Sequence, residues 1–414
     1  MRAHMYLTSD YNYEQVIDNM SSIFPSFQVE RWMDKYEKKC DANLAETCSL
    51  SLSLNDLSAM TGTSPPFAEI SEMVLDYGEI PGSNLLRSKI AKMYNELGSS
   101  NVTAEHIIVG NGAIGANFFA FCGLVSSGTH AIIQSPTYQQ LHSVIESLGC
   151  EVSKLGIDHG FTSLPKDIKN AIKSNTTLVV LNNPVNPTGQ IIPFEVLEEV
   201  ALICDTHKVT LMVDEVYWPL LHSIKTEPNA GGVVDQIKSS GNKSALSLDK
   251  GNIVVSGSMS KVFSMAGLRV GWIASNNLAL REKMLSARDY TTISVSKIDD
   301  RLAAWALEHY SAILLRSVLH CKSQKEILTR FLKSQPRLEL DDTYAAGGTC
   351  AFIKLNDIDS MSFATDLIEK YGVLVCPGEL FDRPGYLRVG YGSCTADALR
   401  LGLIIMGRAL EQYK

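Results

Sequence analysis

Lys261 lies in Ser256-Gly-Ser-Met-Ser-Lys-Val-Phe-Ser-Met-Ala-Gly-Leu-Arg-Val-Gly271, directly after the apolar run Asn252-Ile-Val-Val255. A lysine amine held this way can condense with an aldehyde to form an imine. Ser258, Ser260 and Arg269 in the same segment can grip a phosphate. Taken alone, a lysine in a serine-rich loop is usually a solvated cation. Asp214 ends a second apolar run, Thr210-Leu-Met-Val213. A carboxylate at the end of a buried strand is costly without a cation or several donors; its plainer use is to cap a helix. Tyr217 follows three residues later. Arg388 sits in the strand-like Gly385-Tyr-Leu-Arg-Val-Gly-Tyr391. Its planar fork matches a carboxylate in bidentate fashion, although a structural ion pair would use it too.

Three turns complete the set. Gly110-Asn-Gly-Ala-Ile-Gly115 has the glycine spacing of a dinucleotide fingerprint, but that site wants an acidic residue about 20 positions on, at the end of the next strand. Here that strand ends in Ile133-Gln-Ser-Pro136, without a carboxylate, which argues against nicotinamide or flavin binding. What survives is a helix N-terminus whose free amides, at Gly112 and Ala113, suit a single phosphate. Ser135-Pro-Thr-Tyr138 offers a ring that could stack on a flat heteroaromatic or simply fill a turn. Asn183-Pro-Val-Asn-Pro-Thr-Gly189 is a proline-locked turn that presents Asn186.

The elements that must carry these residues alternate. Strand-like runs at His106–Val109, His130–Ile133, Thr177–Leu181, Val209–Val213, Asn252–Val255 and Val270–Ile273 are separated by helical patterns such as Phe194–Cys204. Nearly continuous apolar strands with helices between them indicate an α/β fold, a mostly parallel sheet covered by helices on both faces. Beyond residue 300 a long helical stretch (298–335) leads to short strands at Thr349–Lys354 and Tyr386–Val389, the pattern of a smaller α+β domain. The expected division is an N-terminal segment 1–60 packing with the small domain, a large domain 61–300 and a small domain 301–414. Residues 225–251 read as a surface excursion.

With 414 residues, 45% hydrophobic and 20% charged, the chain has the bulk of a globular protein of more than one domain. A net charge of −8 with no basic run speaks against nucleic-acid binding. The most apolar stretches, such as Ala116–Val125, fall short of the roughly 20 residues that span a bilayer. Met1–Asp10 lacks the apolar core of a secretory signal. Nine cysteines with no CxxC pair indicate reduced thiols in a cytoplasmic setting, and no zinc spacing is present, so no metal is expected.

Seven segments in chain order, from Tyr77 to Arg388, resemble the cofactor-binding motifs of the fold-type I pyridoxal-phosphate enzymes in the aminotransferase class I/II family. The resemblance covers about residues 65–395 and implies pyridoxal 5'-phosphate as the cofactor, bound as an imine to Lys261. It implies that Gly112, Ala113, Ser258, Ser260 and Arg269 hold the phosphate and that Tyr138 stacks on the ring. Asp214 would pair with the ring nitrogen, Asn186 and Tyr217 with the ring oxygen, and Arg388 with the substrate carboxylate. Tyr77, in Tyr77-Gly-Glu-Ile-Pro-Gly-Ser-Asn-Leu-Leu-Arg87, would reach the phosphate of a neighbouring subunit, so a homodimer is implied. The implied activity is transamination of an α-amino acid; a C–S β-lyase or cyclising lyase of secondary metabolism, similar over Arg288–Asp300, is the alternative. Two substrate-side stretches depart from the family pattern. Ala45–Leu52 lacks the glycine many transaminases place there, and Tyr344–Gly348 lacks the usual proline.

Overall fold

A computed structural model describes residues 23–99, 101–157, 160–225, 232–341 and 343–413. Met1–Asp10, read above for a signal, lies outside the described residues, as does the rest of 1–22. The centre is a seven-stranded sheet of β1 (Ile107–Asn111), β2 (His130–Ser135), β3 (Glu151–Gly156), β4 (Thr176–Asn182), β5 (Thr210–Asp214), β6 (Asn252–Ser258) and β7 (Val270–Ser275). Their spatial order is β1-β7-β6-β5-β4-β2-β3. Only β7 runs antiparallel to its neighbours.

Both faces of the sheet are dry, which is why its strands read as unbroken apolar runs. Ile108, Ile133, Val180, Met212, Val254 and Ile273 pack on one side against Phe119, Ile145 and Met284 of the covering helices. Val109, Ile132, Leu181, Val213, Val255 and Trp272 point to the other. Successive residues of a strand thus feed two separate cores. Strand β3 escapes the apolar-run reading for a physical reason. It is an edge strand (Glu151-Val-Ser-Lys-Leu-Gly156) with no buried residue, and its charges blunt a free edge.

Parallel pairing brings the C-terminal ends of the strands to one side. In the register, Asn182 of β4 lies beside Asp214 of β5, and Asp214 beside Ser256 of β6. Open α/β sheets bind ligands at that edge. A second, antiparallel sheet is built from Leu338–Glu339, Cys350–Leu355, Tyr386–Gly390 and Cys376–Pro377, with Arg388 opposite Phe352 and Cys376. Ala42–Asn43 pairs in parallel with Val373–Leu374, and Trp32 Nε1 donates to Val375 O at 2.9 Å. These contacts tie the described N-terminal segment to the C-terminal part of the chain.

Two details differ from the sequence reading, and the structure adds a role for a third. The long stretch 298–335 is two helices, Lys297–Glu308 and Tyr310–Lys333. The excursion at 225–251 contains a helix, Val233–Ser239, anchored by buried Val233 and Ile237. Arg288 opens a segment singled out for its resemblance to enzymes of secondary metabolism, yet its side chain is fully buried framework. Its Nε donates to Val109 O at 2.9 Å, and its Nη1 to Ile80 O and Ile293 O. Arg288→Met strips three carbonyls of a charged donor. The variant is expected to lose about 3 kcal/mol of stability, read from urea unfolding of wild type and variant side by side.

Candidate active site

A cavity of about 550 Å³ opens at the C-terminal edge of the central sheet. Its floor is the ends of β4, β5 and β6. One end is the start of helix Gly112–Leu124, and Arg388 stands at another wall. Ten of the twelve residues expected from the sequence line it: Ala113, Tyr138, Asn186, Asp214, Tyr217, Ser258, Ser260, Lys261, Arg269 and Arg388.

The groups expected to hold a phosphate converge because glycine lets two backbones touch. Gly112 adopts φ 68° and its N donates to Arg269 O at 2.7 Å. A Cβ on Gly112 would come within 2.7 Å of Arg269 Nη2, and one on Gly271 within 2.3 Å of Ala113 N. Ser258 Oγ donates to Ser260 Oγ at 2.9 Å, and Arg269 Nη1 to Ala266 O at 2.9 Å. The result is a helix N-terminus, a guanidinium and two hydroxyls at one end of the cavity, a set matched to a phosphate dianion.

Asp214 is 4% exposed. Its Oδ2 accepts from Asn117 Nδ2 at 2.9 Å and its Oδ1 from Val216 N at 3.1 Å. Burial pushes its carboxyl above the ordinary range, while these donors pull it back. Asn117 was not foreseen, although an asparagine inside the apolar helix run Ala116-Asn-Phe-Phe119 is itself a signal: a buried amide needs a partner. Asn186 N donates to Asn182 Oδ1 at 2.6 Å, and Asn186 Oδ1 accepts from Arg388 Nη1 at 3.1 Å. Arg388 is 3% exposed, lies over Phe381 and also donates through Nη2 to Ala45 O at 3.0 Å.

Three cavity-lining groups have unmet bonding capacity, one of them an acceptor, Asn117 Oδ1, and two of them donors. Tyr217 Oη and Arg388 Nε are buried without a hydrogen-bond partner among the described residues. Burial pushes the Tyr217 phenol up to about 12, so it remains a donor. Buried donors of this kind are rare unless something arrives to accept from them. An acceptor-bearing aromatic ring with a carboxylate-bearing partner satisfies both donors, so these residues fit pyridoxal phosphate and an amino acid.

Lys261 follows β6 after two intervening residues. Its Nζ donates to Thr47 Oγ1 at 3.0 Å and lies 3.5 Å from Glu46 Oε1. The lysine thus rests on the segment singled out for its missing glycine. Tyr138 faces the same space, its hydroxyl donating to Glu30 Oε1 at 2.7 Å. Gly112 lies just behind Ala113, outside the lining. Tyr77 is not brought to this cavity and is 79% exposed. The second departing stretch is corrected by the structure: Tyr344–Gly348 does not line the cavity but packs behind it, where a Cβ on Gly348 would touch the Tyr217 ring at 3.3 Å.

Behind Asp214, Glu215 is 1% exposed and accepts from Ala245 N at 2.6 Å and from Ser244 Oγ at 2.7 Å. Burial, partly offset by these donors, lifts its carboxyl from 4.5 to about 8. A raised acid favours folding while protonated, so its contribution is complete below about 4.5 and is lost as pH rises towards about 8. Thermal melts across that window should show wild type losing stability with rising pH relative to Glu215→Gln. Parallel pH profiles for the two proteins would contradict this.

Residues 48–403 match the family model described as aminotransferase class I and II. Among curated relatives, the chain is 23% identical to a capreomycidine synthase of Streptomyces vinaceus over 394 residues, 94% of this chain and 95% of that protein. It is 28% identical to a probable N-acetyl-LL-diaminopimelate aminotransferase of Bacillus subtilis (strain 168) over 342 residues, 81% of each. Among solved structures, a pyridoxal-phosphate-dependent aminotransferase of Streptococcus suis 89-1591 superposes with a TM-score of 0.81 at 29% identity, covering 94% of this chain and 99% of that one. With most of its length matched and a cavity built to fit the cofactor, the chain belongs to the aminotransferase class I and II family and is an enzyme that uses pyridoxal 5'-phosphate.

Proposed function

We propose that this cavity transfers the amino group of an α-amino acid, with Lys261 as the group that bonds the cofactor. The convergence of Lys261, Asp214 and Arg388 on one cavity carries the reading. When bound, the cofactor supplies an aldehyde carbon for an amine to bond and a charged ring that accepts an electron pair. The chain supplies the rest. Ala113, Ser258, Ser260 and Arg269 grip the phosphate, while Gly112, whose N–H is taken by Arg269 O, only shapes the turn behind them, contrary to the expectation from its motif. Asp214 keeps a proton on the ring nitrogen, the cation its burial calls for. Tyr217, with its unmet Oη, donates to the ring oxygen, joined by the Asn186 amide, whose Oδ1 is already held by Arg388. Tyr138 packs on the ring face. Arg388 turns its free Nε and its fork to the substrate carboxylate. Lys261 Nζ, displaced by the substrate amine, is then placed to take the α-proton.

A second reading uses the same residues for loss of a β-substituent, a thiol above all, or for ring closure in secondary metabolism. It is favoured by the near full-length match to a capreomycidine synthase and by the stretch Ala45–Leu52, which lacks the glycine of many transaminases and brings Glu46 into the cavity. Loaded enzyme mixed with amino acids and with cysteine conjugates separates the two. Transamination gives keto acid and the aminated cofactor, and then needs an amino acceptor to continue. Thiol and ammonia released with no acceptor would overturn the transaminase reading.

We also infer a homodimer. Val74, Leu75, Tyr77 and Ile80 are exposed beside Tyr290 and Ile293. Arg288 joins the two stretches through Ile80 O and Ile293 O, and Lys297 through Val74 O at 2.8 Å. Exposed apolar side chains gathered this way indicate an interface, and a second copy there would let Tyr77 complete the phosphate grip across it. Sedimentation should give twice the chain mass, reduced to one by Leu75→Lys with Tyr290→Lys; a wild-type monomer would contradict this. The nine cysteines are all free, in keeping with a cytoplasmic setting.

A further inference from the structure

We propose that Glu46 is the counter-charge of the cofactor lysine, holding a proton on the Lys261 nitrogen both as the free amine and when that nitrogen is bonded to the cofactor. This rests on the reading of Lys261 given above. Glu46 Oε1 lies 3.5 Å from Lys261 Nζ. The carboxylate is fixed in place, because the same oxygen accepts from Thr47 N at 2.7 Å and Cys48 N at 2.8 Å. The next residue, Thr47, takes a hydrogen bond from Nζ at 3.0 Å, so one short segment both orients the amine and faces it with a charge.

The other titratable groups around the lysine cannot do this work. Burial pushes the Cys48 thiol up to about 11 and the Tyr217 phenol to about 12, and it raises Tyr138 well above its usual value, so all three are neutral at physiological pH. Arg388, on the far wall, is a cation and opposes a second positive charge. Asp214 is committed to Asn117, Val216 N and the ring nitrogen. Glu46 remains as the anion in contact. Burial disfavours a charged Lys261, and Glu46, the facing group that is ionised, acts in the opposite direction. Glu46 in turn is held down at about 2, chiefly by Lys261.

The consequence can be seen without turnover. An anion at this distance favours the protonated nitrogen by about one to two pH units. The visible absorbance of the Lys261-bound cofactor reports that proton, and its titration midpoint should fall by this amount in Glu46→Gln, which keeps an acceptor for the Thr47 and Cys48 amides. Glu46→Asp, which restores the charge, should recover at least half of the fall. An unchanged midpoint in Glu46→Gln overturns the proposal. If Glu46→Gln fails to load cofactor, Glu46→Asp must load and titrate near wild type, and its failure to do so overturns the proposal as well. Should wild type itself form no coloured adduct at Lys261, the proposed function falls rather than the role of Glu46 alone.

Discussion

A carboxylate buried at the end of a parallel strand organises this enzyme. Asp214 cannot be left charged and alone in a dry sheet edge. Asn117 Nδ2 and Val216 N donate to it, and the cavity lies beside it. Everything else in the site is placed relative to that point. The neighbouring strand ends deliver Asn182 and Ser256 beside it, and β6 runs on to Ser258 and Lys261. Helix Gly112–Leu124 contributes both the phosphate end and, one turn on, the amide that orients the carboxylate. Arg388 is fixed at the opposite wall by its bond to Asn186.

Much of this was legible in the residues. Six of the seven central strands stand out as apolar runs because both faces are covered, and the motif residues fall at their C-terminal ends for the same reason. The seventh, β3, is an edge strand whose alternation of charge and half-burial hides it from that reading. The helix Val233–Ser239 is seven residues held by two buried side chains, too short a pattern to rise above its polar surroundings. The site residues of the motifs were readable because each motif is local. What needed three dimensions was the pairing between distant segments. Asn117 meets Asp214 across 97 positions, and Glu46 meets Lys261 across 215.

The departures from the family pattern separate once their surroundings are known. Tyr344–Gly348 lies behind Tyr217 and against the turn that carries Asn186, with Ala345 N donating to Thr188 O at 2.8 Å. Arg288 and Asp300, at the two ends of their segment, brace the loop that contains Ile80 and Ser83, through carbonyl oxygens in one case and the Ser83 N–H at 2.9 Å in the other. Ala45–Cys48 alone reaches the reacting centre. This stretch touches the lysine and backs onto Arg388 through Ala45 O.

The proposed site stands or falls on one amine, Lys261 Nζ, as the group that holds the cofactor in the resting enzyme. Borohydride reduction of the purified yellow protein, followed by peptide mass mapping, tests it in a single step. The account predicts bleaching and one phosphopyridoxyl mass addition, on the peptide containing Lys261 and absent from Lys261→Ala. An adduct on a different lysine, or colour and full turnover surviving in Lys261→Ala, would contradict it.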